Sequence, residues 1–360
     1  MNWSRVPPFR AHPLVRGGHL QTVLGCYLPG PKSTYVAKLR LVPLADGDSL
    51  AIHDDCPEQW QAGDRVAVLF HGLGGSHQSG YMRRGADKLN ARGIRVIRVD
   101  LRGSGAGFAY ARHLGHAARS DDVHAAVQFV ADLCPGSPLV IAGFSMGANM
   151  VLKYLGAHAS NVPDCVIGGM AVAPPVDLVH CAEHIQKGMQ RAYDQMFVRN
   201  LMRLVERRRR EIPGVVDVDL SPQPKRLWDF DDRFTARLGG FKDAHDYYSQ
   251  ASSKPQLSKI RHSTLIITAD DDPIVPISSF EAAVLSPTTE LMVTRSGGHL
   301  GFISSNPREG DRRWMEWRLV DFVTSVMPVH APLLIRSRRT DAHGPVHTPT
   351  HTKTHSSSSR

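Results

Sequence analysis

A serine between two glycines stands at the centre of Gly143-Phe144-Ser145-Met146-Gly147. An apolar run at 138–142 precedes it, and a segment with the pattern of a helix follows at 148–154. A strand that turns into a helix in this way forms a nucleophile elbow, which lifts the serine hydroxyl clear of a sheet and leaves room only for glycine beside it. Because so short a motif also occurs by chance, the hypothesis that Ser145 is a nucleophile depends on the rest of the chain.

A serine nucleophile needs a neighbouring base, and the base needs a carboxylate that holds its tautomer. His299 follows two glycines after a predicted strand, and Asp272 ends the strand before it. The order serine, acid, histidine is that of the α/β-hydrolase fold. Three adjacent acids at 270–272 leave the choice open; Asp272 is favoured because it directly precedes Pro273-Ile274-Val275-Pro276, and Asp177 is a further candidate.

Backbone N–H groups must stabilise the oxyanion that forms when a serine attacks an acyl carbon. We predict that these groups belong to Met146, at the start of the helix after the serine, and to Leu73, in the glycine-rich segment after His71. His71 itself is predicted to brace this loop rather than to act as a base. Asp100 and Arg102 are expected to fix the neighbouring loop by hydrogen bonds.

Alternating strands and helices position these residues. After an antiparallel pair at 34–43 and 49–56, apolar strands and amphipathic helices alternate, which is typical of a mostly parallel, twisted sheet with helices on both faces. Such sheets bind ligands at the carboxyl ends of their strands. The predicted residues at this edge are His71, Asp100, Ser145 and Asp177.

A polar insertion and a biased tail interrupt this alternation. The insertion contains four arginines at 207–210, for which a solvated helix face is favoured over contact with anionic lipid. After a last amphipathic helix from about Asp311 to Val326, the chain ends in Ser, Thr, Arg and His. The predicted organisation is an N-terminal arm at 1–33, an α/β-hydrolase core at 34–178 and 263–328, a helical cap at 179–262, and a disordered basic tail at 336–360.

Composition limits the partners and the compartment. The 360 residues carry a formal net charge of +9, but the segment from Arg336 onward holds five basic residues and one acid, so the charge elsewhere is modest and no nucleic-acid partner is expected. Five scattered cysteines without a CxxC pair favour a reducing, cytoplasmic setting. We expect no signal peptide, spanning helix, metal site or organic cofactor.

Six segments around these residues combine into one set of motifs: GGHLQTV from Gly17, HGLGGSHQSGYMRR from His71, DLRGSG from Asp100, GFSMGANMVLKYLG from Gly143, ADDDPIVP from Ala269 and GGHLGFI from Gly297. Over roughly residues 7–328 the chain resembles the YheT-like branch of the α/β-hydrolases, related to the mammalian ABHD1 and ABHD3 type serine hydrolases. The resemblance implies a triad of Ser145, Asp272 and His299, with the HLQT phrase supporting the site.

The function expected from residues and resemblance together is hydrolysis of carboxylic esters (EC 3.1.1 type, carboxylesterase or lipase) through an acyl-serine intermediate, with a small acyl ester or lipid as substrate. Acyl transfer to an alcohol and phospholipase action at a membrane surface are alternatives that use the same triad. An inactive hydrolase fold that serves as a binding protein is the alternative outside enzymes. The sequence does not specify the acyl length, the alcohol or the oligomeric state.

Overall fold

A central sheet of eight strands organises the computed structural model, which describes residues 8–28, 36–215 and 219–326. The strands are β1 (Lys38–Pro43), β2 (Ser49–Asp55), β3 (Val66–Phe70), β4 (Arg95–Asp100), β5 (Leu139–Phe144), β6 (Val166–Val172), β7 (Ser263–Ala269) and β8 (Thr289–Thr294). Their order in the sheet is β1-β2-β4-β3-β5-β6-β7-β8. The strand β2 pairs antiparallel with β1 and β4, and all other neighbours are parallel. The predicted α/β-hydrolase architecture is thereby confirmed.

The α-helices of the described residues are α1 (Gly18–Tyr27), α2 (Gly80–Asn90), α3 (Ser120–Leu133), α4 (Met146–Ala157), α5 (Leu178–His184), α6 (Arg191–Glu211), α7 (Leu227–Phe230), α8 (Arg237–Gly239), α9 (Ala244–Ala251) and α10 (Trp314–Ser325). Four of them cover the two faces of the sheet, α3 and α4 on one and α2 and α10 on the other. Alternate residues of β3 belong to opposite cores: Val68 packs with α3 and α4, whereas Leu69 packs with α2 and α10. Burial on both faces explains why this strand is continuously apolar.

The segment between β6 and β7 contains α5 to α9 and no strand among its described residues. It includes the range 179–262 for which the sequence predicts a cap. Short helices here begin at aspartates: the Asp177 carboxylate accepts a hydrogen bond from His180 N at the start of α5, and Asp243 accepts from Asp246 N at the start of α9. Such N-caps satisfy amides that a helix leaves unpaired.

The region after β8 differs from the prediction. An antiparallel pair, β9 (Ile303–Arg308) and β10 (Asp311–Arg313), precedes α10, so the last helix begins at Trp314 rather than near Asp311. The tight connection uses left-handed backbone at Glu309 and Gly310 (φ 50° and 77°), where glycine carries no steric cost. The tail at 336–360 lies outside the described residues. In the described part of the chain, no helix combines the length and apolarity needed to span a bilayer.

Candidate active site

Ser145 lies in a tight turn between β5 and α4. Its backbone has φ 53° and ψ −121°, a conformation that L-residues rarely adopt, and its N–H donates to Val172 O at 2.9 Å. A Cβ at Gly143 would lie 2.4 Å from Gly147 O, and a Cβ at Gly147 would lie 2.5 Å from His71 O. Glycine is therefore the only residue that fits at either position, as the elbow motif predicts.

Ser145, His299 and Asp272 form one chain of hydrogen bonds. His299 Nε2 lies 2.8 Å from Ser145 Oγ, and His299 Nδ1 lies 2.8 Å from Asp272 Oδ2. Since an ionised carboxylate only accepts, Nδ1 carries the proton and Nε2 is free to accept from the serine hydroxyl. The other oxygen of Asp272 accepts from the N–H groups of Ile274 and Val275 at 2.8 and 3.0 Å, which fixes the carboxylate.

The other candidate acids make different contacts. Asp271 Oδ1 accepts from Gly298 N at 2.8 Å and so holds the turn before the histidine; burial raises the pKa of Asp271. Asp177 caps α5 and lies 3.3 Å from Lys254 Nζ. Asp270 is exposed. Of the acids that the sequence left open, Asp272 is the one hydrogen-bonded to His299.

Met146 and Leu73, whose N–H groups are predicted to bind the oxyanion, lie beside Ser145. Met146 is the first residue of α4, so its N–H has no acceptor within the helix. Leu73 lines the same cavity as Ser145. A Cβ at Gly72, one residue earlier, would lie 3.0 Å from Ser145 Cβ, which shows that this loop lies directly against the serine.

His71, Asp100 and Arg102 fix the loops around the site. The buried His71 ring lies 2.7 Å from Gly72 O through Nδ1 and accepts from Leu101 N at 3.0 Å through Nε2, so both nitrogens are engaged. Burial lowers the pKa of His71, in keeping with a neutral brace. Asp100 accepts from Ala106 N at 2.8 Å, and Arg102 forms two hydrogen bonds to the carboxylate of Asp122.

The helix α1 supports the histidine directly. Thr22 Oγ1 accepts from His299 N at 2.8 Å and donates to Gly18 O at 2.7 Å. Gln21 Nε2 donates to Ile303 O at 3.1 Å, and Gln21 Oε1 accepts from Ile303 N at 2.7 Å. Residue patterning alone assigned this segment no role. The HLQT resemblance was the signal that pointed to it.

An apolar cavity of about 140 Å³ opens at Ser145. Its lining includes Cys181 of α5, Ile185 directly after α5, and Phe197, Leu201 and Val205 of α6. This composition suits an acyl chain or another apolar substituent.

Two groups of side chains combine ligand types that metals use. His53 Nε2 and His77 Nδ1 both lie within hydrogen-bond distance of Asp100 Oδ2, at 3.1 and 2.8 Å. The second group joins Asp46, Asp48 and His113, but the Arg102 guanidinium already forms ion pairs with both aspartates. In both groups, hydrogen bonds and ion pairs within the protein account for the arrangement.

Comparison with known proteins places the chain in a family. A family model described as alpha/beta hydrolase fold matches residues 66–305. The protein YheT of Escherichia coli (strain K12) is 30% identical over 313 residues, 86% of this chain and 91% of YheT. Phospholipase ABHD3 of Mus musculus is 27% identical over 271 residues, 73% of this chain and 66% of ABHD3. The structure of the Pyrococcus furiosus esterase Pf2001 shares the fold, with a TM-score of 0.53 at 16% identity over 83% of this chain and 98% of that chain. The chain therefore belongs to the α/β-hydrolase family, in its YheT-like branch.

Proposed function

We propose that this protein hydrolyses carboxylic esters through an acyl-serine intermediate. The observation that carries the proposal is the hydrogen-bonded chain from Ser145 through His299 to Asp272. A serine in this arrangement is activated without any further group, because the imidazole takes its proton as the oxygen attacks.

The proposed reaction has two halves. In the first, His299 Nε2 removes the proton of Ser145 Oγ while that oxygen attacks the ester carbonyl, and the Asp272 carboxylate stabilises the imidazolium. The N–H groups of Met146 and Leu73 bind the oxyanion, and the imidazolium then protonates the departing alkoxide. In the second half, water replaces the serine as nucleophile and the acid leaves. An alcohol in place of water would give acyl transfer from the same intermediate.

The residues at 179–262 are proposed to act as the cap that selects the acyl group. Support comes from α5 and α6, whose apolar side chains line the cavity at Ser145. The five cysteines form no disulfide, which supports the further proposal of a reducing, cytoplasmic location.

The test is labelling of the full chain with a fluorophosphonate, which reacts with activated serines. We expect wild type to be labelled and Ser145→Ala to be unlabelled. Ser104→Ala is the matched control, because Ser104 lines the same cavity and has no part in the proposed reaction. A folded wild type that does not react, or a Ser145→Ala variant that still does, would overturn the proposal.

A panel of p-nitrophenyl esters of increasing acyl length follows. We expect release of the free acid by wild type and by Ser104→Ala, and none by Ser145→Ala. Identification of products with glycerol or methanol present separates hydrolysis from acyl transfer, since only transfer gives the new ester.

A further inference from the structure

One arginine of the run 207–210 is directed into the protein. Arg208 is 1% exposed, whereas the side chains of Arg207 and Arg210 are 54% and 72% exposed. The prediction of a solvated face for the whole run is therefore wrong at this position. The apolar stripe of α6, with Val198, Met202 and Val205 buried, continues at helical spacing to position 208.

The guanidinium of Arg208 is only partly satisfied. Nη2 donates to Ala111 O at 2.8 Å and to Arg112 O at 3.0 Å. Nε and Nη1 are buried and have no hydrogen-bond partner among the described residues. Burial lowers the pKa of Arg208, yet guanidinium remains charged at neutral pH. An unpaired buried charge is costly, and proteins retain such costs mainly where they serve function.

No carboxylate compensates this charge directly. Within the part of the chain that the structure describes, Arg208 forms no ion pair. Asp48, whose charge acts on Arg208, is held by Arg102 Nη1 at 2.6 Å and by the N–H groups of Arg112 and His113 at 2.8 and 3.0 Å. Burial acts to raise the pKa of Asp48, but these hydrogen bonds hold it at about 2. The carboxylate is thus ionised and fully engaged elsewhere.

Arg208 borders the active-site cavity. Arg208 and Gly103 both line this cavity, and a Cβ at Gly103 would lie 2.4 Å from Arg208 Nη1. Gly103 belongs to the loop after β4, next to Arg102, which also lines the cavity. The cation is therefore part of the wall that encloses Ser145.

A second residue of the same lining carries an unpartnered polar atom. His116 is buried, and its Nδ1 has no hydrogen-bond partner among the described residues. Burial, together with nearby Arg119 and Arg102, lowers the pKa of His116 to about 3, so the ring is neutral at pH 7. A neutral imidazole can donate one hydrogen bond to an anion without adding charge. Two incompletely satisfied groups in a mostly apolar lining indicate a ligand with a polar, charged end.

Asp231 is a carboxylate in the same lining. It accepts from Thr235 Oγ1 at 2.5 Å and from Tyr248 OH at 2.6 Å, and burial raises its pKa to about 6. It forms no ion pair with Arg208, so it does not occupy the free guanidinium atoms.

We propose that Arg208 binds an anionic group of the substrate, a carboxylate or a phosphate, so that the enzyme prefers carboxylic esters that carry a second, negatively charged group. This inference rests on the proposed ester hydrolysis at Ser145 and adds the class of substrate. The anion can belong to the acyl group or to the alcohol, and the two arms of the experiment separate these sources.

The acyl arm compares mono-p-nitrophenyl esters of dicarboxylic acids with the same esters capped by a methyl group. The alcohol arm compares hexanoyl glycerol 3-phosphate with hexanoyl glycerol. We expect wild type to favour the charged member in one arm. In Arg208→Met the ratio of charged to neutral kcat/KM should fall by about 10- to 150-fold, the value of hydrogen bonds to a charged group. Arg208→Lys keeps the charge and should retain more of the preference.

Arg210→Met is the matched control, because it removes an exposed arginine from the same helix and should leave the ratio unchanged. Equal rates on charged and neutral esters in both arms, or a preference that persists in folded Arg208→Met, would overturn the inference.

A binding measurement separates failure of the inference from failure of the proposed function. Calorimetric titration of Ser145→Ala with inorganic phosphate and with suberate needs no turnover. The anion site is supported if either ion binds Ser145→Ala, if that binding is lost when Arg208→Met is added to this variant, and if it is retained when Arg210→Met is added instead. This result would support the site even if no ester is hydrolysed. Absence of binding for both ions contradicts it even if neutral esters are hydrolysed. Circular dichroism establishes that each variant is folded, and wild-type inhibition by the same ions provides a readout without mutation.

Discussion

Replacement of Thr22 by valine tests whether the N-terminal helix α1 takes part in the proposed reaction. The substitution keeps the shape of the side chain and removes the oxygen that accepts from His299 N at 2.8 Å. A buried N–H that loses its acceptor costs about 1–3 kcal/mol. Because that N–H belongs to His299 itself, the lost free energy destabilises the conformation in which the imidazole reaches Ser145.

The size of the effect follows from this free energy. At about 1.4 kcal/mol per tenfold change, the population with a formed hydrogen-bond chain should fall about 5- to 150-fold. We expect kcat on a p-nitrophenyl ester to fall in that range with KM little changed, since the cavity proposed to bind the acyl group does not include Thr22. Thr22→Ser keeps the hydroxyl and should restore most of the rate.

Thr264→Val is the control. Thr264 is as buried as Thr22 and donates to His262 O at 3.0 Å, but it lies at the opposite end of β7 from Asp272. This variant should lower the melting temperature and leave kcat near wild type. If Thr22→Val lowered the melting temperature without changing kcat, or if Thr22→Ser were as slow as Thr22→Val, the idea that α1 positions His299 would be wrong.

Two further predictions concern the acids. Asp272→Asn should reduce kcat by about 10⁴ in a protein that still folds, because the imidazole loses the partner that sets its tautomer. Asp271→Asn keeps an oxygen that can accept from Gly298 N, so its kcat should fall by less than about tenfold. Equal losses of kcat in the two variants would contradict the assignment of Asp272. Burial raises the pKa of Asp231 in the folded protein to about 6, so ionisation of this carboxyl destabilises the fold. The free energy of unfolding is unaffected below pH 4, falls as the pH rises through 6, and is lower by about 3 kcal/mol at pH 7. Thermal unfolding from pH 4 to 7 should therefore show wild type losing a few degrees relative to Asp231→Asn; parallel curves would show that Asp231 does not titrate in this range.

Local patterns in the sequence were sufficient to predict the parallel sheet. A strand covered on both faces, such as β3, reads as a continuous apolar run, and the residue at its carboxyl end then lies at the edge where ligands bind. Ser145 and Asp272 could be placed by this rule because Ser145 directly follows β5 and Asp272 lies three residues after the end of β7. His299 could be placed because the order of the three residues constrains it.

Other features depend on contacts that local patterns do not encode. The hydrogen bond from His299 N to Thr22 joins residues 277 positions apart, so no periodicity within either segment reveals it. Among three adjacent acids, only the three-dimensional turn decides which one meets the imidazole. Arg208 is a different case, because the apolar spacing along α6 includes it, but the charge of the run 207–210 outweighed that signal.

The attachment of α1 also determines when the site can form during synthesis. Gln21 pairs with Ile303 across 282 positions, so α1 cannot complete its contacts until a segment 282 residues later has been made. Contacts this distant in sequence slow folding, since the loop they close must lose its entropy before they contribute. A nascent chain that ends before residue 299 lacks the proposed base. The proposed reactivity toward esters therefore arises only after residue 299 has been made.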